Sequence, residues 1–108
     1  MCKFNTLKNN TEGYVLHCKD CNRIKIAFAT TLLVLTNNQF QELLQNAHDL
    51  HLRYKNDPLQ NRKMIVVSTP SPSISMIFTP REVASFYQLL NDSNQKLRYK
   101  DLFAFCDN

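Results

Sequence analysis

The residues of this 108-residue chain that are best suited to chemistry form one short run, His17-Cys18-Lys19-Asp20-Cys21-Asn22. Two cysteines separated by two residues and flanked by strand-like sequence can direct two thiolates at one metal ion. The residue after the second cysteine often has a left-handed backbone in such turns, and asparagine tolerates that conformation. The spacing therefore predicts a metal-binding turn, with zinc as the expected cofactor.

A tetrahedral zinc site needs four ligands, and the sequence contains no second C-x-x-C motif. If residues 2–7 and 14–18 form an antiparallel hairpin with its turn near residues 9–10, Cys2 lies opposite Cys18. His17 is close in sequence, but strand alternation directs it to the opposite face from Cys18. The predicted metal ligands are Cys2, Cys18, Cys21 and Cys106, with His17 as the alternative to Cys106.

Two other interpretations of the cysteines stay open. Reduced cysteines are among the most buried residue types, so all four could be ordinary core residues. A thiol-dependent redox enzyme is the third interpretation. In thioredoxin-like enzymes, however, the C-x-x-C pair lies where a strand enters a helix, and the N-terminus of that helix lowers the thiol pKa. Residues 22–28 instead have the two-residue periodicity of a strand. This context disfavours a dithiol oxidoreductase.

Three basic residues lie beside the cysteines, at Lys19, Arg23 and Lys25. A cysteine turn with adjoining cations is typical of small modules that bind RNA or DNA. The chain has a net charge of +4, which is compatible with an anionic partner. The alternative, which the spread of basic residues along the chain favours, is a solvated outer face.

The composition limits the classes of function. A single glycine excludes the glycine-rich loops that bind phosphates in nucleotide-binding proteins. The longest apolar stretch, residues 32–35, is far too short to span a bilayer. The N-terminus lacks the apolar segment of a secretory signal, so we expect a cytoplasmic location, where cysteines stay reduced. The length predicts a single domain over residues 1–108.

The elements that must position the cysteines are mostly strands. Alternation and apolar runs predict strands over residues 2–7, 14–18, 24–28, 31–35, 64–68 and 74–78. Helices are predicted to begin at two capping boxes, Thr36 with Gln39 and Thr79 with Glu82. The first helix has an apolar stripe from Phe40 to Tyr54. Residues 97–105 fit either a strand or a short helix.

These elements predict an α+β fold, in which a mainly antiparallel sheet of five or six strands is covered on one face by two helices. The order strand, strand, threonine-led cap, helix occurs twice. Such an order is consistent with an internal repeat, and equally with two unrelated helices that share ordinary caps.

The segment from His17 to Phe28, followed by the apolar strand Thr31 to Thr36 and a helix, resembles a small uncharacterised bacterial family, a domain of unknown function. The resemblance covers about half of the chain and implies a bacterial cytosolic protein with no assigned activity. The sequence contains no recognisable arrangement of catalytic residues. Together with the cysteine spacing, this favours a non-enzymatic binding or adaptor module with a structural zinc site. Its partner would be another protein; nucleic acid is the alternative, and no membrane is expected.

Overall fold

The computed structural model describes the backbone of residues 3–106 and the side chains of residues 3–99. Over residues 3–106 the chain forms six strands and two helices, which confirms the α+β class. In chain order they are β1 (Phe4–Asn9), β2 (Gly13–Cys18), β3 (Ile24–Phe28), β4 (Thr31–Leu35), α1 (Asn37–Tyr54), β5 (Ile65–Ser68), β6 (Ser75–Phe78) and α2 (Pro80–Cys106).

The first four strands form an antiparallel sheet in the order β1-β2-β3-β4. Its inner face is apolar because alternate residues of β3, Ile24, Ile26 and Phe28, are buried. Both helices pack against this face, with α2 next to β1 and β2 and α1 next to β4. The opposite face remains uncovered by either helix, and it includes the exposed side chains of Leu32 and Val34.

The predicted register of the first hairpin is wrong by two residues. Phe4, rather than Cys2, is the cross-strand partner of Cys18. The turn comes later than predicted because the Asn10 side chain accepts hydrogen bonds from the N–H groups of Glu12 and Gly13, at 2.8 and 2.9 Å. A bulge between Thr6 and Lys8 then shifts the register within β1.

In the described part of the chain, β5 and β6 pair only with each other. The six strands therefore form two sheets instead of the single predicted sheet. Side-chain packing connects the two sheets. The rings of Phe28, Phe78 and Phe86 contact one another with centroids 5.0 to 5.3 Å apart. This aromatic cluster joins β3, β6 and α2 in one core without backbone pairing between the sheets.

Both helices begin at the predicted capping boxes. The N–H of Gln39 donates to the Thr36 hydroxyl, and the Gln39 side chain accepts from the Thr36 N–H. Thr79 and Glu82 make the same reciprocal pair at the start of α2. The order strand, strand, capped helix therefore occurs twice, with Ile24 paired to Leu35 in one hairpin and the corresponding pair formed by Ile65 and Phe78 in the other.

The C-terminal segment, for which the sequence left strand and helix open, continues α2 as far as Cys106. Leu90 and Leu97, two helical turns apart, are both buried and hold this part of α2 on the core. Ser85 of α2 donates to Glu12 in the β1–β2 turn, and Asp92 lies 4.0 Å from Lys8 in β1. These contacts show that α2 runs along β1 from the turn towards the end of the sheet that contains Phe4.

Candidate functional site

The C-x-x-C segment forms a tight turn between β2 and β3. The Cys18 N–H donates to the Arg23 carbonyl at 2.9 Å, which closes the turn, and the Cys21 N–H points at the Cys18 sulfur at 3.4 Å. Asn22 has a φ of 55°, so the predicted left-handed residue after the second cysteine is confirmed. We call residues 18–22 the cysteine turn.

The two cysteines of this turn differ in accessibility. Cys18 is fully buried, whereas Cys21 is exposed, and no disulfide joins them. An N–H group directed at sulfur stabilises the thiolate, which is the form that binds metals and acts as a nucleophile. The turn leads into a strand, so the helix N-terminus that lowers the thiol pKa in dithiol oxidoreductases is missing from this part of the chain.

His17 lies on the other face of β2 from Cys18, as the alternation predicted. It is 8 % exposed and pairs with Ile24 of the core face. Its Nε2 lies 3.1 Å from the Asn22 side-chain oxygen, so the imidazole contacts the last residue of the cysteine turn. Over the described side chains, residues 3–99, no three His, Cys, Asp or Glu residues are close enough together to hold a metal ion.

Two of the predicted ligands, Cys2 and Cys106, have side chains outside the described ones. Cys2 lies outside the described residues, and the side chain of Cys106 lies outside the described side chains, although its backbone ends α2. Of the four predicted ligands, the structure therefore describes Cys18 and Cys21 only, and it brings these two together through the contact from the Cys21 N–H to the Cys18 sulfur.

Of the three predicted cations, two are exposed at the cysteine turn or directly after it, and the third contacts an aromatic ring of β1. Lys19 and Arg23 are exposed at the cysteine turn. Lys25 projects from the outer face of the sheet, and its Nζ lies 4.2 Å from the centroid of the Phe4 ring. This cation–π contact holds Lys25 over β1, whereas the other two basic side chains remain available at the turn.

A second group of polar rings lies between the helices. His48 and His51, one turn apart on α1, both contact the Tyr87 ring of α2, with centroid distances of 5.1 and 5.3 Å. The Nδ1 atom of His51 is buried and has no hydrogen-bond partner in the described part of the chain. The sequence placed His51 on the buried stripe, but only the helix packing revealed Tyr87 as its neighbour.

A cleft of about 410 Å³ lies where the first turns of α1 meet the end of β5. Its lining contains amide, hydroxyl and carboxyl groups around the side chain of Leu43, and includes Gln39, Glu42, Asn46, Ser68, Thr69 and Pro70. No sequence pattern predicts this cleft, because its two walls are separated by more than twenty residues in the chain.

None of the helices in the described residues is both long and apolar enough to cross a membrane. Comparison with curated proteins gives no match, and comparison with solved structures gives none either. Residues 1–107 match a protein family described as a family of unknown function, DUF6686. Because this match covers nearly the whole chain, the protein belongs to the DUF6686 family.

Proposed function

We propose that this protein is a small binding module whose cysteine turn forms half of a structural zinc site. The observation on which the proposal depends is the geometry of the turn, in which the Cys21 N–H is directed at the Cys18 sulfur at 3.4 Å and Asn22 adopts a φ of 55°. A tight turn with an N–H group directed at sulfur is an arrangement that can hold two cysteine ligands of a structural zinc ion.

The charges around the turn support the same proposal. A zinc ion with four thiolates has a net negative charge, since four negative ligands surround a doubly positive ion. Lys19 and Arg23, both exposed at the turn, offset this charge.

Two features of the fold favour Cys2 and Cys106 as the remaining ligands. Helix α2 runs along β1 towards the end of the sheet that contains Phe4, and it ends at Cys106. Cys2 precedes Phe4, the cross-strand partner of Cys18, by two positions in the sequence. His17 is a weaker candidate because its ring is held by Asn22 on the opposite face.

Four protein ligands leave no coordination position for substrate, so the proposed zinc is structural. The aromatic cluster and the buried stripes of both helices form a core outside the turn. Removing zinc should therefore lower the thermal stability of the protein but leave it folded. Zinc fingers, which have little core of their own, unfold when the metal is removed.

The test is the metal content of protein purified without added metal, measured together with thiol titration and thermal unfolding. We expect about one zinc per chain. The Cys21→Ser variant should lose zinc and melt at a lower temperature. The control Asp20→Ser also introduces serine at an exposed position of the same turn, and it should keep its zinc. Folded protein with four titratable thiols and no metal would contradict the proposal.

A second candidate function is nucleic-acid binding, and it depends on Lys19 and Arg23 being exposed at the same end of the molecule. Binding through phosphate contacts weakens steeply as salt rises. Retention on RNA or DNA at low salt, reduced in a Lys19→Ala, Arg23→Ala double variant, would support this candidate. Absence of retention at low salt would exclude it.

A further inference from the structure

Strand β4 is an edge of the four-stranded sheet with backbone groups open to pairing. Phe28 and Thr31 flank a two-residue turn, so they form a hydrogen-bonded pair. Alternation along the ladder then directs the N–H and C=O groups of Leu32 and Val34 away from β3. Within the described residues, no other hydrogen bond uses these four groups.

The opposite edge of the same sheet is protected against strand pairing. Strand β1 contains a bulge between Thr6 and Lys8, and its exposed residues are polar or charged, including Asn5 and Asn9. Bulges and charged side chains are the usual means by which proteins prevent edge-to-edge association. Strand β4 has neither, since it is regular and contains no charged residue.

The exposed side chains of β4 are aliphatic. Leu32 and Val34 are 56 % and 54 % exposed, and both lie on the outer face of the sheet. Lys25 is the cross-strand neighbour of Val34. Its ammonium group, however, lies over the Phe4 ring in β1, the strand at the opposite edge of the sheet. The outer surface along β4 is therefore apolar and locally uncharged.

We propose that β4 pairs antiparallel with β4 of a second copy of this chain, joining the two four-stranded sheets into one. A two-fold axis at Leu33 places Leu32 opposite Val34 of the second copy, and Val34 opposite Leu32 of the second copy. The outward N–H and C=O groups of these residues then hydrogen-bond across the axis, in the register that the turn sets.

A second copy fits this edge better than a charged partner does. The pairing brings four exposed aliphatic side chains together on one face, which buries apolar surface on both chains. Each chain has a net charge of +4, so two copies repel one another over most of their surfaces. At the uncharged β4 edge, two copies can approach without bringing like charges close together.

The pairing strand is five residues long, so the interface is smaller than that of a standard stable complex. The dimer should therefore dissociate in the micromolar range. Sedimentation equilibrium of the full chain, from about 1 to 500 μM, should give a mass that rises from 12.6 kDa towards twice that value. A mass of one chain at all concentrations would overturn the proposal.

The location of the interface is tested with a matched pair of valine variants. Val34→Lys places a charge on the β4 edge and should weaken dimerisation at least about tenfold, because two lysines approach across the axis. Val66→Lys makes the same change at a 60 % exposed valine of β5 and should leave dimerisation unchanged. A Val34→Lys dimer as tight as wild type, or equal weakening by both variants, would overturn the assignment to β4.

Cross-linking tests the register in variants that keep an apolar edge. Equimolar Leu32→Cys and Val34→Cys proteins, mixed and oxidised, should give more disulfide-linked dimer than either protein alone, since residues 32 and 34 are opposed. Circular dichroism should show that each variant is folded. Equal yields from the mixture and from the separate proteins would contradict the register.

Discussion

Gly13, the only glycine in the chain, has no room for a side chain. A Cβ atom built on it would lie 2.0 Å from the backbone oxygen of Ala27 and 3.0 Å from the Cα of Phe28. Both obstacles are backbone atoms of β3, so no rotation of a side chain can relieve the contact. The φ of Gly13 is not positive, so the reason for glycine here is close approach and not backbone conformation.

The Gly13→Ala substitution should therefore be strongly destabilising. Relief requires β2 and β3 to separate by about 1 Å or more, since smaller shifts leave the Cβ in a forbidden contact. This movement weakens the hydrogen bond from the Ala29 N–H to the Glu12 carbonyl, now 3.1 Å, and displaces the Phe28 ring from the aromatic cluster. One hydrogen bond and two aromatic contacts together predict a loss of about 2–4 kcal/mol.

Urea unfolding followed by circular dichroism measures this loss, and thermal unfolding should show a Tm lower by about 10 °C or more. Ala29→Gly is the matched control in the neighbouring turn. Ala29 has a φ of 53°, so glycine relieves backbone strain there while increasing the entropy of the unfolded chain. We expect a net change within about 0.5 kcal/mol. A Gly13→Ala protein as stable as wild type would refute the steric argument.

Three further predictions concern the caps and the cysteine turn. Thr36→Ala should cost about 1 kcal/mol, measured by urea unfolding, since it removes the hydroxyl that accepts from Gln39. Partial burial would raise the pKa of Glu82, but hydrogen bonds from Lys63 and Thr79 outweigh it, so this pKa lies below its ordinary value of 4.5. A carboxyl group whose pKa is lower in the folded state stabilises the fold at pH values above its unfolded-state pKa. This stabilisation should therefore disappear as the pH falls through 4.5 and then through the folded-state pKa of Glu82. Urea titrations at several pH values should show that a Glu82→Gln variant lacks it, and identical pH profiles would contradict the assignment. Asn22→Gly should keep the Tm within a few degrees while Asn22→Val lowers it clearly, because a β-branched residue resists the positive φ.

The register of the first hairpin shows why sequence patterns did not suffice to place Cys2. Alternation identifies a strand, but it allows the strand to slide by two residues without changing which side chains face the core. The Asn10 side chain and the bulge after Thr6 decide between these registers. Neither has a signal in apolar periodicity, so the predicted pairing of Cys2 with Cys18 was wrong while the strands themselves were identified.

Local chemistry determined the parts of this protein that the sequence predicted correctly: the strands, both capping boxes and the left-handed Asn22 all depend on residues within four positions of one another. The tertiary structure alone decided the division into two sheets, the contact of His48 and His51 with Tyr87, and the open edge of β4. These features depend on contacts between segments far apart in the chain, whose geometry is set by the packing of the whole core.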